Sequence, residues 1–114
     1  MINQEKRRQR FLRDALPVRL GGLAATLGRI SSNARQSDSP VVVAELLDEA
    51  KHLIEWTAAE ANPETSAELV QIQRQITLWQ KVWNTANRDH QVRILLSVQA
   101  KTWSDKAIEN SGLL

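Results

Sequence analysis

The chain has 114 residues, 42% of them hydrophobic and 25% charged, and its formal net charge is +2. This length and composition predict one soluble globular domain, residues 1–114, that is large enough to form a hydrophobic core. Because the sequence contains no cysteine, disulfides, thiolate zinc sites and cysteine nucleophiles are excluded.

The chain begins with a basic arm at about residues 1–13, and the sequence leaves open whether this arm is ordered or frayed. The basic residues near the N-terminus are Lys6, Arg7, Arg8, Arg10, Arg13 and Arg19. On a helix, Lys6, Arg10 and Arg13 fall within an arc of about 60°. Such a row could neutralise phosphates, so an anionic partner such as a nucleic acid is one interpretation. The alternatives are a solvated face and ion pairing with the acidic second predicted helix.

The segment RRQRFL at residues 7–12 is similar to a twin-arginine export signal, but one extra residue separates the arginine pair from the phenylalanine. The apolar run that follows is interrupted by Asp14 and Arg19, whereas the apolar part of a signal peptide is uncharged. No stretch approaches the roughly 18 apolar residues of a membrane span. The sequence therefore predicts a cytoplasmic protein without a membrane span.

The first predicted helix spans residues 3–35, and one side of it is apolar: Leu12, Leu16, Leu20, Leu23, Leu27, Ile30 and Ala34. This pattern continues in phase across Pro17, which favours a kinked helix, with a break near Pro17 as the alternative. Four small residues share the opposite side: Gly21, Ala25, Gly28 and Ser32. Glycine inside a helix costs about 1 kcal/mol relative to alanine. The small side therefore indicates a close contact with another helix, of this chain or another subunit, unless the glycines only permit the bend.

Three further helices are predicted at residues 40–61, 63–86 and 89–109. Ser39 and Asn62 each precede a proline at the first helical position, which is typical of a helix start. Asn87 or Asp89 can cap the fourth predicted helix, and Asn110 with Gly112 supplies its stop.

These three helices also have apolar stripes at helical spacing. The stripe residues are Val43, Leu46, Leu47, Ala50, Leu53, Ile54 and Thr57 in the second helix; Leu69, Ile72, Ile76, Trp79, Trp83 and Ala86 in the third; and Val92, Leu95, Leu96, Gln99 and Trp103 in the fourth. Short connections make sequential helices antiparallel neighbours. The predicted fold is therefore an all-α, antiparallel, up-down four-helix bundle whose first helix is kinked or broken near Pro17.

Two features predict a contact with another chain. In the fourth predicted helix, Ile94, Val98 and Ile108 lie off the stripe and widen the apolar arc to roughly 200°. Together with the small residues of the first helix, they predict a homo-oligomer or a protein partner. Trp56 lies off the stripe of the second helix, where it is either a flank contact or an exposed anchor for a partner.

The sequence contains no convincing catalytic or metal-binding pattern. The histidines are His52 and His90, and EAKH at residues 49–52 has the Glu-x-x-His spacing of di-iron bundles. That chemistry needs two copies of the motif, and one is present. No nucleophile elbow or phosphate-binding glycine loop occurs. We therefore expect no enzyme activity, no cofactor and no bound metal.

The segments LPVRLGGLA, LWQKVW and SGLL resemble small uncharacterised helical proteins of cyanobacteria. This resemblance implies no activity, cofactor or binding residue. The sequence thus favours a non-enzymatic protein-interaction, adaptor or self-associating module. The alternative is a nucleic-acid-binding accessory protein that uses the basic N-terminal helix.

Overall fold

Residues 3–112 are described by a computed structural model, in which they form five helices and no strand. The helices are α1 (Gln4–Leu12), α2 (Leu16–Ala34), α3 (Pro40–Ala58), α4 (Pro63–Ala86) and α5 (His90–Ser111). Parts of two predicted features, the ends of the basic arm and of the SGLL segment, lie outside the described residues, at positions 1, 2, 113 and 114. Within the described range, no helix is both long and apolar enough to cross a membrane.

The described residues form five helices instead of the four predicted, because the first predicted helix is broken near Pro17, which is the alternative to a kink that the sequence left open. The break precedes Pro17: Ala15 is extended, with φ −62° and ψ 154°, and α2 then begins at Leu16. Proline fits the first turn of a helix, where its missing N–H has no helical acceptor to lose. The same residue inside a continuous helix would remove a hydrogen bond and clash with the preceding turn. Residues 13–15 therefore separate α1 from α2.

The other helix boundaries lie close to the predicted ones. The side chain of Asn62 accepts a 2.8 Å hydrogen bond from the Thr65 N–H at the start of α4. Asp89, rather than Asn87, caps α5 by accepting from the first N–H groups of that helix. Gly112 ends α5 in the left-handed conformation, with φ 71°.

Among the described helices, α2 and α5 form the most extensive contact. The α3 helix contacts both α2 and α4. The α2 and α5 helices are antiparallel, because Ser31 Oγ donates to the Ser97 carbonyl and Ser104 Oγ donates to the Ala24 carbonyl, each at 2.8 Å. In contrast, α4 and α5 contact each other sparsely. A groove therefore remains between these last two helices.

Most residues of the predicted stripes are buried, including Leu20, Leu27 and Ile30 of α2 and Leu47 and Ile54 of α3. Leu95 is the clear exception, since 51% of its side chain is exposed. The buried side of α5 is instead formed by these residues: Arg93, Leu96, Ser97, Ala100, Trp103, Ala107 and Ser111. The serine side chains of α5 that form hydrogen bonds with α2 therefore fix the rotation of α5 about its axis, and in this rotation Leu95 faces outward.

Candidate interaction surface

Two hydrogen bonds between tryptophan and glutamine side chains set the register of α4 against α5. Trp79 Nε1 donates to Gln99 Oε1 at 2.8 Å, and Trp103 Nε1 donates to Gln75 Oε1 at 2.6 Å. Both indoles are buried, and an indole N–H can only donate, so each needs an acceptor inside the protein. One hydrogen bond is donated from α4 to α5 and the other from α5 to α4, and together they fix both glutamine side chains.

The groove between α4 and α5 has a volume of about 360 Å³. Its apolar lining comes from Ile72, Val98 and Trp103, and its polar lining includes the amides of Gln75 and Gln99. The groove is therefore amphipathic, with a hydrophobic base and hydrogen-bonding groups along its sides.

Four large apolar side chains are at least half exposed on the outer side of these two helices: Leu78, Val82, Leu95 and Val98. They are 61%, 51%, 51% and 60% exposed, respectively. The register set by Trp79 and Gln99 places Val82 level with Leu95, and Leu78 close to the level of Val98. We call these four residues the apolar α4–α5 surface. Adjoining exposed side chains of this kind mark an interaction site more often than isolated ones do.

The interface residues predicted from the sequence, on α2 and α5, do not form one surface. Gly28 packs inside the chain, since a Cβ there would lie 3.7 Å from Ser104 Oγ of α5. The other residues of the predicted interface are half-buried (Gly21, Ile94 and Ile108) or exposed (Ala25, Ser32 and Val98). Val98 lines the α4–α5 groove. The small side of α2 thus serves the α2–α5 contact at Gly28, whereas Val98 belongs to the apolar α4–α5 surface.

The basic residues near the N-terminus divide into paired and unpaired ones. Arg7 donates to Glu49 of α3 at 3.1 Å, and Arg8 lies 3.7 Å from Glu5. The remaining basic residues of α1 and its C-cap are exposed and form no ion pair within residues 3–112: Lys6, Arg10 and Arg13.

Arg19 does not belong to the exposed basic surface, because it is only 4% exposed. Its Nη2 donates to Glu60 at 2.8 Å, while its Nε and Nη1 have no hydrogen-bond partner. Glu60 itself is exposed. The hydrogen bond and the positive charge of Arg19 hold the pKa of the Glu60 carboxyl below its usual value.

Trp56 is half-buried beneath α1, so it is a flank contact rather than a fully exposed anchor. Its ring centroid lies 6.0 Å from that of Phe11 and 5.7 Å from that of His52. In both pairs the ring planes are tilted by 52° to each other, an arrangement that favours aromatic packing. Phe11 thereby attaches α1 to α3.

Glu49 and His52 of the Glu-x-x-His segment each contact other residues of the chain. Glu49 pairs with Arg7, and His52 Nδ1 lies 2.8 Å from the Asp48 carbonyl oxygen. Residues 3–112 contain no group of three or more side chains placed to hold a metal ion.

Leu78, Val82 and the two tryptophan–glutamine hydrogen bonds were not predicted from the sequence. The sequence did contain a signal for Leu78 and Val82, because they lie one helical turn apart and off the stripe of the third predicted helix. The bonds had no comparable signal, since they depend on the register of α4 against α5.

No protein-family model, curated protein or solved structure matches this chain. The resemblance to cyanobacterial helical proteins therefore stays a prediction.

Proposed function

We propose that this protein is a non-enzymatic interaction module that binds a protein chain through the apolar α4–α5 surface. In this proposal α2 to α5 form the up-down bundle that supports the surface, and α1 is an addition to it. The observation that supports the proposal is the exposure of Leu78, Val82, Leu95 and Val98 on adjoining helices.

The size of this surface indicates what a partner has to supply. Full burial of a large apolar side chain is worth about 1.5–3 kcal/mol, so covering the exposed halves of four contributes about 3–6 kcal/mol. Association costs roughly 4–15 kcal/mol in lost freedom. A stable complex therefore also needs contacts in the groove and with its polar border.

Each of the two histidines contacts a residue of its own helix. His52 of α3 lies beside Asp48, and His90 Nδ1 of α5 lies 3.4 Å from Arg93.

The proposal is tested by comparing two double variants at positions whose original side chains are similarly exposed to solvent. Leu78→Lys/Val98→Lys charges the apolar α4–α5 surface, and Val18→Lys/Val41→Lys charges exposed valines of α2 and α3. Sedimentation equilibrium and affinity capture should reveal self-association or a partner that the first variant loses and the control keeps. A chain that is monomeric and captures nothing, or equal behaviour of both variants, would contradict the proposal.

A second candidate function is nucleic-acid binding by α1. It is supported by the exposed Lys6, Arg10 and Arg13, which have no ion pair in the described part of the chain. Phosphate contacts would make the affinity fall steeply with salt.

Labelled single- and double-stranded DNA and RNA, titrated at about 50 and 200 mM salt, test this candidate. Binding that Arg10→Glu/Arg13→Glu abolishes, and that Arg74→Glu/Lys81→Glu preserves, would support it. The control changes the net charge equally on α4. Absence of binding at the lower salt concentration would reject a nucleic-acid role for α1.

A further inference from the structure

We propose that the apolar α4–α5 surface binds an acidic amphipathic helix from a different protein. This inference rests on the proposed function and names its partner class. Two neighbouring helices with a shallow groove between them offer a site into which a third helix can place its apolar side chains. Val98 lies both on the exposed surface and in the wall of the groove, so one ligand helix can cover both.

Cations border this surface without acidic partners of their own. Arg74 and Lys81 are exposed on α4, respectively four residues before and three residues after Leu78, and so lie on the same part of the helix surface. Neither forms an ion pair within residues 3–112, and Lys106, which lines the groove on α5, forms none there either. Unpaired cations beside an exposed apolar patch favour a ligand whose flanks are negative.

The acidic residue of the groove lies away from the apolar patch. Glu68 is near the first turn of α4, and its carboxylate accepts a 2.8 Å hydrogen bond from Asn110. The register of the two helices places this pair at the opposite end of the groove from Leu95 and Val82. Glu55 of α3 lines a depression together with Arg74 and Leu78, but it forms no ion pair with Arg74 among the described residues. Arg74 and Lys81 therefore remain available to an acidic ligand over the apolar patch.

The groove also presents amide donors of fixed orientation. Because the Oε1 atoms of Gln75 and Gln99 accept from buried indoles, their Nε2 groups are the parts left to contact a ligand. No hydrogen bond involves either Nε2 group among the described residues. Amide N–H groups pair with carbonyl or carboxylate oxygens, so they add to the preference for an acidic ligand.

Within residues 3–112, a second copy of this chain does not offer such a helix. The acidic residues Glu45, Asp48 and Glu55 are exposed on α3, but the apolar stripe of α3 is buried against α2 and α4. An amphipathic helix can bind only when its apolar side is free. A different chain therefore supplies the acidic helix.

The probe for this inference is a labelled helical peptide of about 20 residues with leucines at three- and four-residue spacing and glutamate on the flanks. A control peptide has lysine in place of each glutamate. We expect fluorescence anisotropy to show that the full chain binds the acidic peptide and that this binding weakens at higher salt. The basic peptide should bind at least tenfold more weakly.

Two double variants and one control locate the site. Leu78→Gln/Val98→Gln should weaken the acidic peptide by tenfold or more, while Val18→Gln/Val41→Gln leaves it unchanged. Arg74→Glu/Lys81→Glu should reverse the preference between the two peptides.

Equal binding of both peptides, or binding that the Gln variant does not affect, would overturn the inference. So would binding of neither peptide. Sedimentation without peptide then separates the two proposals. Self-association that Leu78→Gln/Val98→Gln abolishes would overturn the acidic-helix inference and leave the proposed function standing, whereas a monomer without a partner would remove both.

Discussion

At the scale of single residues, the two tryptophan–glutamine bonds join helices that otherwise contact each other sparsely. Trp103 is 3% exposed, and its Nε1–H is satisfied by Gln75 alone among the described residues. A buried donor that loses its acceptor costs about 1–3 kcal/mol. The glutamines of α4 are therefore expected to differ in their contribution to the free energy of unfolding, although all of them are polar residues on one helix.

Gln75→Ala should lower the free energy of unfolding by about 1–3 kcal/mol, because it leaves the Trp103 indole unpaired in the interior. The control is Gln71→Ala, at an exposed position on the same helix, which should change it by less than about 0.5 kcal/mol. Urea unfolding followed by tryptophan fluorescence measures both. Equal effects of the two substitutions would show that the hydrogen bond contributes nothing measurable.

The Arg19–Glu60 pair predicts a pH dependence of stability. Because the pKa of Glu60 is lower in the folded chain than in the unfolded one, its ion pair stabilises the fold at pH values above the unfolded glutamate pKa. This contribution is lost as the pH falls through the lowered folded pKa, where the carboxyl becomes protonated. Glu60→Gln should therefore be less stable than the parent chain at pH 7 and equal to it in strong acid. Urea midpoints across this range test the prediction, and a difference that does not change with pH would contradict it.

Replacing the buried cation should have the opposite outcome. Arg19→Met removes a charge that has two unpartnered nitrogen atoms, and it leaves Glu60 in contact with water. Apolar replacement of a buried ion is often neutral or stabilising. We expect the free energy of unfolding at pH 7 to stay equal or rise, measured by urea unfolding. A clear fall would mean that the ion pair with Glu60 outweighs the cost of burying the charge of Arg19.

At the scale of elements, α1 is a short helix whose order depends on its contact with α3. It has nine residues, and isolated helices shorter than about 12–15 residues are marginal in water. Its attachment consists chiefly of the Phe11–Trp56 contact and the Arg7–Glu49 ion pair. The free energy that keeps α1 folded is therefore smaller than that of the helices that form the core.

Phe11→Ala should release α1 while α2 to α5 stay folded. Hydrogen exchange should show loss of protection at the amides of α1, with the core amides of α2 and α5 unchanged. Arg10→Ala is the control, because Arg10 is exposed and has no ion pair in the described region. Loss of protection throughout the chain would contradict this account, since α1 would then be part of the core.

The helix boundaries could be predicted because they depend on nearby residues, whereas the rotation of α5 could not. Pro40, Pro63 and Asp89 each act within one turn of their own helix. The outward position of Leu95 depends instead on bonds such as Ser104 to Ala24, which join residues 80 positions apart. Periodicity alone could not distinguish a buried Leu95 from an exposed one, because serine does not contribute to an apolar stripe.

The sequence also could not assign the candidate surface to one pair of helices. It indicated surplus apolar residues in the last helix, of which Val98 lies on the apolar α4–α5 surface and Ile94 and Ile108 are half-buried. The division depends on which neighbour each side of α5 meets. That neighbour is fixed by tertiary packing rather than by spacing along the chain.

At the scale of the whole molecule, the apolar α4–α5 surface is separate from the core, so stability and binding should respond to different substitutions. Leu78→Lys/Val98→Lys should change the free energy of unfolding by less than about 1 kcal/mol, since each site is exposed. Leu27→Ala, at a fully buried site, should lower it by about 2–5 kcal/mol. Chemical unfolding of both variants checks this contrast. A large loss of stability in the surface variant would mean that these side chains belong to the core.

The most direct test of the binding surface is photo-crosslinking in cells that express the protein. A photoreactive amino acid at Val98 should form adducts with one partner or with a second copy, because this position lies in the proposed interface. The same amino acid at Val18, which is 52% exposed on α2 compared with 60% for Val98, should form none above background. Adducts from position 18 alone, or from neither position, would contradict the assignment of the apolar α4–α5 surface as the binding site.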